Sequence, residues 1–350
     1  MTRPEYPDGR RYNSFVGYFK KRYGERLQKI VLDAGFTCPN RDGKVGRGGC
    51  TYCDNAAFHP AYSTAGKSLL RQLDEGIGFH KVRYRNTVHY LAYFQSFSNT
   101  YAPLERLKAL YEEALSHPDV VGIVIGTRPD CVDEEKLDYL AALAQGKVLK
   151  DWVRMMPDMS VEPVMKQVSG SEIAERPLVE MRTPVVIVEY GIESVYDTSL
   201  ARINRGHYFA TARKAVEMTA ARGLDVGAHF ILGLPGETKE MMLEGAAVLN
   251  ALPVRSVKVP QLQIVKGTKM EKEFAEKRED FIQFGLEEYI GFFTELLERL
   301  RPDLYIERFV GEVPPRFVNE TPWGLVRNAE LLRLLEQELE ARNTWLGRLL

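Results

Sequence analysis

The chain has 350 residues, of which 45% are hydrophobic, so it can bury the core of one large barrel or of two modest domains. The sequence contains no apolar run long enough to cross a bilayer, and its first residues lack the apolar stretch of a secretory signal. Four cysteines in a chain of this length do not make a disulfide framework, and we therefore expect a cytoplasmic protein. The formal net charge of −1 neither favours nor excludes a nucleic-acid partner.

Residues 1–30 are basic and rich in aromatic side chains. Eight Arg and Lys residues stand against three acidic ones there, which gives this segment a net charge of +5. The interleaved aromatic residues are Tyr6, Tyr12, Phe15, Tyr18, Phe19 and Tyr23. A mixture of this kind is typical of surfaces that bind phosphates and stack bases. It fits equally well an amphipathic helix that packs its aromatic side chains on the rest of the protein.

Strands and helices alternate through the middle of the chain. The hydrophobic pattern predicts strands at 30–32, 88–95, 120–126, 185–190, 226–232 and 257–264. It predicts helices at 67–84, 103–117, 133–144, 209–222 and 237–251. This alternation is typical of parallel β/α units. With six strands, and one further weak candidate at 304–309, we predict an α/β fold that forms a partial (β/α)6 TIM-like barrel.

We divide the chain into a core and two caps. Residues 1–28 are the N-terminal cap, 29–267 the core, and 268–350 a mostly helical C-terminal extension, with helices predicted at 286–300 and 325–342. A long insertion near 145–183 separates a core helix from the next strand. We expect this insertion to pack on another surface, because it contains Trp152, Met155, Met156, Met159 and Met165.

Three of the four cysteines, Cys38, Cys50 and Cys53, lie on one glycine-rich loop after the first strand. Thiolates this close together repel one another unless a metal shares their charge, and soft sulfur ligands favour zinc, copper(I) or an iron–sulfur cluster. A structural zinc site needs a fourth ligand, which His59 could supply. Three cysteines can also hold a [4Fe–4S] cluster whose fourth iron stays open. The residue types alone leave both sites possible.

The segments GFTCPNRDG and GGCTYC resemble the YhcC/YtqA-like radical S-adenosylmethionine (SAM) family, which is related to Elp3-type enzymes. The resemblance extends from about Tyr12 to Gly347, with many separate motifs in the same order. It implies a barrel of radical SAM type and an enzyme whose cofactors are S-adenosyl-L-methionine and a [4Fe–4S] cluster held by the three loop cysteines. It also implies a reductant, such as flavodoxin or ferredoxin, as a partner.

Ligands of parallel barrels bind at the carboxyl ends of the strands, where this chain has a series of polar and glycine residues. The resemblance implies that these residues form the SAM site: Tyr52, Gln95, Asn99, Thr100, Glu189, Gly191, Ser194, Arg205, His229, Gly233, Gly236, Glu237, Gln261 and Gln263. Chemically, Glu189 could accept hydrogen bonds from the ribose or amino group of SAM. Arg205 would contact its carboxylate, and by chemistry alone could equally be a surface cation. A histidine such as His229, taken alone, is more often a hydrogen-bonded structural residue of a barrel than a catalyst.

The segment GTRPDC places Arg128, Asp130 and Cys131 at the end of another strand, and we select them as catalytic candidates. Arg128 could bind a carboxylate or phosphate through two N–H groups. Alternatively, Arg128 and Asp130 form an ion pair with each other. Cys131 is either a thiol that gives the substrate a proton or a hydrogen atom, or an inert, half-buried residue.

The resemblance suggests a substrate, the wobble-uridine side chain of tRNA. A radical SAM enzyme that acts on a small metabolite or on a protein is the first alternative. The second alternative, from another class, is a zinc-stabilised TIM-like binding protein without redox chemistry.

Overall fold

The computed structural model describes residues 3–84, 87–157, 164–168, 171–175, 178–311, 313–320, 323 and 326–350. Its strands are β1 Gln28–Leu32, β2 Tyr90–Phe94, β3 Val120–Thr127, β4 Arg154–Pro157, β5 Val164–Val168, β6 Ser171–Glu175, β7 Leu178–Met181, β8 Val185–Glu193, β9 Asp225–Phe230, β10 Ser256–Lys258 and β11 Tyr305–Arg308. Its helices are α1 Phe15–Tyr23, α2 Pro39–Asp42, α3 Leu69–Arg83, α4 Leu104–Ser116, α5 Glu134–Ala144, α6 Asp197–Arg202, α7 Phe209–Ala220, α8 Lys239–Ala251, α9 Lys269–Glu276, α10 Leu286–Arg299 and α11 Asn328–Ala341. The predicted alternation of strands and helices is confirmed.

One parallel sheet organises the fold, in the strand order β1-β2-β3-β8-β9-β10-β11. In the described part of the chain β1 and β11 are its two edges, so the sheet is an open half-barrel and the predicted partial barrel is confirmed. The prediction of six strands misses one, because β11 lies inside the weak candidate at 304–309. Its pattern is weak because Glu307 faces ion pairs in the interior instead of an apolar core.

The strand predicted at 257–264 is shorter than expected. β10 ends at Lys258, because Pro260 has no N–H with which to continue the ladder. Gln261 and Gln263 therefore lie in the loop after the strand, where Gln261 forms a single bridge with Leu232.

Alternate residues of the strands face two different cores. On one face, Ile30, Ala92 and Ile125 join a large cluster that contains the helices. On the other face, a second cluster joins strand residues such as Leu91 and Ile187 to helix α1. The half-barrel is thus closed on its outer side by the α/β helices and on its inner side, in part, by the N-terminal segment.

Helix α1 packs its aromatic side chains against the sheet. Phe19 is 1% exposed, and Tyr18 stacks on Tyr305 with a distance of 4.2 Å between ring centroids. Arg22 forms an ion pair of 2.6 Å with Asp225, the first residue of β9. Because Asp225 and Tyr305 both begin their strands, α1 covers the amino ends of the sheet. Of the two interpretations of the basic, aromatic segment, the structure therefore favours packing on the rest of the protein.

The insertion at 145–183 contains two antiparallel strand pairs, β4 with β7 and β5 with β6. As expected, it packs on the core: Trp152 and Met156 are buried, and the Trp152 indole donates to the carbonyl of Leu115 over 3.4 Å. Met155 is exposed. Met159 and the side chain of Met165 lie outside the described residues.

The C-terminal extension contains the two predicted long helices, α10 and α11, and it also supplies strand β11. Its last residues contact the N-terminal segment, since the N–H of Leu346 donates to the carbonyl of Arg11 over 3.0 Å. The division of the chain at residues 28 and 267 stays a prediction. No described helix combines the length and the apolar character that a membrane span requires.

Candidate active site

A cavity of about 280 Å³ lies where the sheet strands end, and Cys38, Cys50 and Cys53 all line it. Gln95, after β2, and Gly191, near the end of β8, form part of its wall. The cavity is therefore at the carboxyl ends of the strands, as expected for a parallel barrel.

The loop that carries the cysteines is held by Asn40, which is fully buried just after Cys38. The Asn40 amide donates to the carbonyl of Asn204 over 2.5 Å and approaches Sγ of Cys50 at 3.7 Å. A Cβ on Gly46 would stand 2.2 Å from the Asn40 side-chain oxygen, so this position requires glycine. Gly46 thus allows the loop to pack closely against the Asn40 side chain.

Two arginines contact the cysteines of this loop, Arg41 from within the loop and Arg205 from a later segment of the chain. Arg41 donates from Nη2 to the carbonyl oxygen of Cys53 over 2.7 Å. Arg205 donates from Nη1 to Sγ of Cys50 over 3.5 Å, and from Nη2 to the carbonyl of Gly191. Burial raises the pKa of the Cys53 thiol, and the hydrogen bond and charge of Arg41 oppose that rise.

Arg128 is 3% exposed and forms two parallel hydrogen bonds with Asp130, of 2.8 and 2.7 Å. The alternative of a mutual ion pair, considered from the sequence, is therefore the one observed. Arg128 nevertheless lines the cavity, and its Nη1 finds no hydrogen-bond partner in the described part of the chain. Nε of Arg205 likewise has no hydrogen-bond partner among the described residues. Two buried guanidinium groups thus have unused N–H donors, and an anionic oxygen would satisfy them.

A cluster of four charged residues, Lys29, Glu189, Lys258 and Glu307, lies inside the half-barrel. Of these four, the sequence analysis predicted only Glu189 as a site residue. The Lys29 ammonium contacts Glu189 and lies 2.6 Å from Glu307. The Lys258 ammonium lies 2.7 Å from Glu189 and 2.9 Å from Glu307. Burial alone would raise the pKa of Glu189, but the two lysines hold it well below its usual range. Glu189 is therefore ionised and already bound by cations.

His229 connects this ionic cluster to the cavity. Its Nε2 lies 2.9 Å from Oε2 of Glu189, which as an ionised carboxylate accepts the hydrogen bond. Tyr93 also lines the cavity, and its hydroxyl accepts from Lys258 over 3.1 Å. The buried charges thus fix the orientation of two cavity side chains.

The structure brings many of the predicted site residues together. In addition to the three cysteines, these line the cavity: Tyr52, Gln95, Arg128, Glu189, Gly191, Arg205, His229, Gln261 and Gln263. The other predicted residues are not among those that line it: Asn99, Thr100, Asp130, Cys131, Ser194, Gly233, Gly236 and Glu237.

Those outside the cavity have structural contacts instead. The Asn99 amide donates to the carbonyls of Phe94 and Gly126, over 3.1 and 2.7 Å, and so joins β2 to β3. The Thr100 hydroxyl hydrogen-bonds to that of Thr127 over 2.6 Å. Residues of this kind look like ligands in a sequence, because they too are polar and follow strands.

A second set of predicted residues supports the turn before α8. The Ser194 hydroxyl donates to the Glu237 carboxylate over 2.5 Å, away from the cavity. Gly233 and Gly236 have φ of 81° and 85°, so both positions favour glycine for backbone reasons.

Cys131, our candidate for a reactive thiol, is 6% exposed and does not line the cavity. Its sulfur lies 3.7 Å from the Ser98 hydroxyl. Burial raises the pKa of this thiol to about 12, so it is protonated at neutral pH. This geometry favours the alternative interpretation of Cys131 as an inert residue, and the side chain is more buried than expected.

Glu193 is a cavity residue that sequence reasoning missed. It has a φ of 73°, and the pairing of β8 with β9 shifts register between Gly191 and Glu193. A bulge of this kind redirects a side chain, and here the carboxylate lies 3.6 Å from Arg205. The acidic residue in the strand-end segment GIES was the available signal.

The thiols of the cavity suit a metal cluster better than a single metal ion. No group of three or more Cys, His, Asp and Glu side chains, among the residues that the structure describes, is close enough to hold a single metal ion. Three thiols that nevertheless line one cavity fit a larger group, such as an iron–sulfur cluster. His59 is not among the residues that line the cavity, so the zinc alternative lacks its proposed fourth ligand there.

This combination of an open parallel half-barrel and a three-cysteine cavity is typical of a radical SAM enzyme. The chain belongs to the radical SAM superfamily: the sequence model of the Radical SAM superfamily matches residues 160–247, and that of the Radical_SAM C-terminal domain matches residues 254–341. The predicted family and enzyme class are confirmed. Enzymes of this superfamily use a [4Fe–4S] cluster and SAM, and they need a source of electrons.

Relatives support this membership along the whole chain. The uncharacterized protein YtqA of Bacillus subtilis is 31% identical over 97% of this chain and 92% of the relative. Protein YhcC of Escherichia coli is 34% identical over 85% of this chain and 82% of the relative. The solved structure of Methanocaldococcus infernus Elp3 shares the fold with a TM-score of 0.60 and 16% identity. That comparison covers 91% of this chain but only 64% of the Elp3 chain.

Proposed function

We propose that Cys38, Cys50 and Cys53 hold a [4Fe–4S] cluster, and that the cavity beside them binds SAM. When bound, the two groups together supply a 5′-deoxyadenosyl radical, through reductive cleavage of SAM, and this radical abstracts hydrogen from the substrate. The observation that carries the proposal is a pair of buried arginines, Arg128 and Arg205, that both line the three-thiol cavity. Each has one N–H group without a hydrogen-bond partner among the described residues.

Each arginine has a separate part in binding. Arg205 contacts Cys50 and also lines the cavity. We assign its Nε–H, which has no partner in the described part of the chain, to the carboxylate of SAM. Arg128 offers its Nη1–H to the same anion, while Asp130 fixes the plane of its guanidinium group. Glu193 is the acceptor that we assign to the amino group of SAM, because its carboxylate lies beside Arg205.

Gly191 keeps this pocket open. A Cβ at this position would stand 2.5 Å from the Glu193 carboxylate and 2.8 Å from the Arg205 guanidinium. Both side chains are nearly buried, so neither could move away easily. The glycine thus leaves the carboxylate and the guanidinium in contact with the ligand space.

We revise the role of Glu189 within the proposal. Its oxygens are bound by Lys29, Lys258 and His229, so it orients His229 instead of binding SAM directly. His229 lines the cavity and holds a proton on Nε2, toward Glu189. The ionic cluster therefore holds Glu189 in place, and Glu189 keeps the His229 ring in one orientation.

As the substrate we propose the wobble-uridine side chain of tRNA, which rests on the motif resemblance to Elp3-type enzymes. The N-terminal segment gives this substrate no support, because Phe19 is buried and α1 covers the amino ends of the strands, away from the cavity. The test compares tRNA nucleosides of a knockout and its parent by mass spectrometry. A missing modified uridine supports tRNA, whereas identical nucleosides direct the search to a small metabolite or a protein.

The enzyme class is tested by anaerobic purification and reconstitution, as suits the cytoplasmic location that we propose. We expect a brown protein that contains iron and converts SAM to methionine and 5′-deoxyadenosine when dithionite is added. A colourless, zinc-containing protein that leaves SAM intact would overturn the proposal.

A further inference from the structure

Five exposed basic residues lie on and beside the cysteine loop, and we call them the basic rim: Lys44, Arg47, Lys266, Lys269 and Arg316. Two of them, Lys44 and Arg47, are part of the loop itself, between Cys38 and Cys50. None of the five forms an ion pair with a residue that the structure describes, although most other arginines and lysines of the site do. Their charges are therefore available to a partner.

Contacts between neighbouring segments make the rim one continuous surface. The Lys269 ammonium lies 3.2 Å from the place of a Cβ on Gly48, next to Arg47. The N–H of Met270 donates to the carbonyl of Thr51 over 2.9 Å, which fixes the start of α9 against the cysteine loop. The N–H of Lys266 donates to the carbonyl of Phe317 over 2.8 Å, which brings the segment of Arg316 to the same side.

The segments that carry the rim, 42–48, 266–271 and 314–318, contain two acidic residues, and both are engaged locally. The Asp42 carboxylate accepts from the N–H of Lys44 over 3.1 Å, and the Glu271 carboxylate accepts from the N–H of Gly267 over 2.7 Å. The five basic residues outnumber them, so the rim has a positive field on a chain whose net charge is −1.

The cysteines approach the surface beneath this rim. Cys38 and Cys53 are only half-buried, whereas Cys50 is 7% exposed. A donor that docks on the rim therefore meets the loop that carries Cys38, Cys50 and Cys53. A positive surface at such a point would select a negatively charged donor and increase its rate of encounter.

We propose that the basic rim is the docking surface for a small acidic electron-carrier protein of the flavodoxin type. The inference rests on the proposed function, because it assigns the electron donor of the same site. In each encounter the carrier is oxidised by one electron, the enzyme is reduced by one, and no atom or group is transferred. A nucleic acid is the less favoured occupant, since the rim is a compact patch on the cysteine loop and not a long groove.

The test is the triple variant Lys44→Glu, Arg47→Glu, Lys269→Glu. Flavodoxin binding to the reconstituted full chain is measured first, by isothermal titration calorimetry under anaerobic conditions. We expect the affinity at low salt to fall by about tenfold or more, and the difference to shrink at about 1 M salt, where charges are screened. The matched control is Lys20→Glu, Lys21→Glu, which reverses two exposed charges on α1 and should bind like the parent.

The second readout uses the reconstituted enzyme with SAM. Cleavage driven by reduced flavodoxin should fall in the triple variant in parallel with affinity, while cleavage driven by dithionite, which needs no docking surface, should stay unchanged. The milder variant with Gln at the same three positions should give an intermediate loss, and it decides the question if the Glu variant folds poorly.

Equal flavodoxin affinity for the parent and the triple variant would overturn the inference. So would a triple variant that keeps flavodoxin-driven cleavage but loses tRNA binding, which would assign the rim to nucleic acid. A parent enzyme that does not cleave SAM even with dithionite would refute the proposed function, but the affinity measurement would still test the rim separately.

Discussion

Arg205 and Cys50 are in direct contact, with the guanidinium Nη1 3.5 Å from Sγ. The same guanidinium reaches the backbone of Gly191 and the carboxylate of Glu193 on β8. One side chain therefore connects the cysteine loop with the end of a central strand. Any change at Arg205 should affect both the ligand pocket and the surroundings of the sulfur atoms.

Arg205→Lys keeps a positive charge but removes the planar set of donors. We expect SAM affinity to fall by about ten- to a hundredfold, the equivalent of one charged hydrogen bond, with iron content retained. Equilibrium SAM binding and iron analysis check this. Arg202→Lys is the matched control, because Arg202 pairs with Glu273 at 2.8 Å outside the cavity. Unchanged SAM affinity in Arg205→Lys would contradict the assigned pocket.

Cysteine substitutions separate the cluster ligands from the buried thiol. Cys38→Ala, Cys50→Ala and Cys53→Ala should each lose the cluster and SAM cleavage. Cys131→Ala should keep both, because Cys131 is buried off the cavity and carries its proton. Iron content and the visible absorption of reconstituted protein measure the difference. Loss of iron in Cys131→Ala would show that three cysteines are not the complete ligand set.

The buried ionic cluster should show strong coupling. Glu189→Leu leaves Lys29 and Lys258 without one of their acidic partners, and we expect it to destabilise the fold by about 3–5 kcal/mol. The double variant Glu189→Leu, Lys258→Met should cost less than the sum of the two single changes. Denaturant unfolding of the purified chain measures these free energies. As a control, Glu330→Ala at the exposed Arg333 pair should leave the unfolding free energy almost unchanged, because water screens this pair. Additive losses in the cluster would contradict the coupling.

His207 should make stability depend on pH. Burial and the neighbouring Arg205 lower the pKa of His207 to about 4, below the value of about 6.5 in an unfolded chain. Between these values the unfolded chain binds a proton that the folded chain does not, so the unfolding free energy should fall as the pH drops from 6.5 to 4. The slope from this one group is at most about 1.4 kcal/mol per pH unit. His207→Gln should reduce the slope in denaturant titrations, and an identical pH profile would refute this origin.

The sequence predicts the fold well because periodicity is a local property. Strands such as β3 are continuous apolar runs, and α10 shows a helical pattern that needs no tertiary information. β11 is weakly predicted because it is short and its acidic residue, Glu307, is buried through partners on distant strands. The sequence pattern of one segment does not show that Lys29 and Lys258 will form ion pairs with Glu307.

The candidate site is predicted only in part, for the same reason. The spacing of the cysteines is a local signal, and all three reach the cavity. Polar residues after strands, in contrast, divide into those that face the cavity, such as Gln95, and those that tie strands together, such as Asn99. Which way they point depends on the turn that follows, and single-sequence patterns do not specify it. The position of Glu193 depends on a bulge and is unpredictable in the same sense.

The contact between the two ends of the chain bears on how the protein is made. Arg11 accepts a hydrogen bond from Leu346, and the Tyr6 hydroxyl donates to the carbonyl of the same residue over 3.4 Å. During synthesis, the interval between residues 6–11 and Leu346 is roughly 15 to 70 seconds at ordinary rates. The N-terminal segment cannot form these hydrogen bonds before that interval has passed. The cysteine loop emerges long before that moment. Synthesis of the three thiols is therefore complete while the N-terminal segment is still without its final partner.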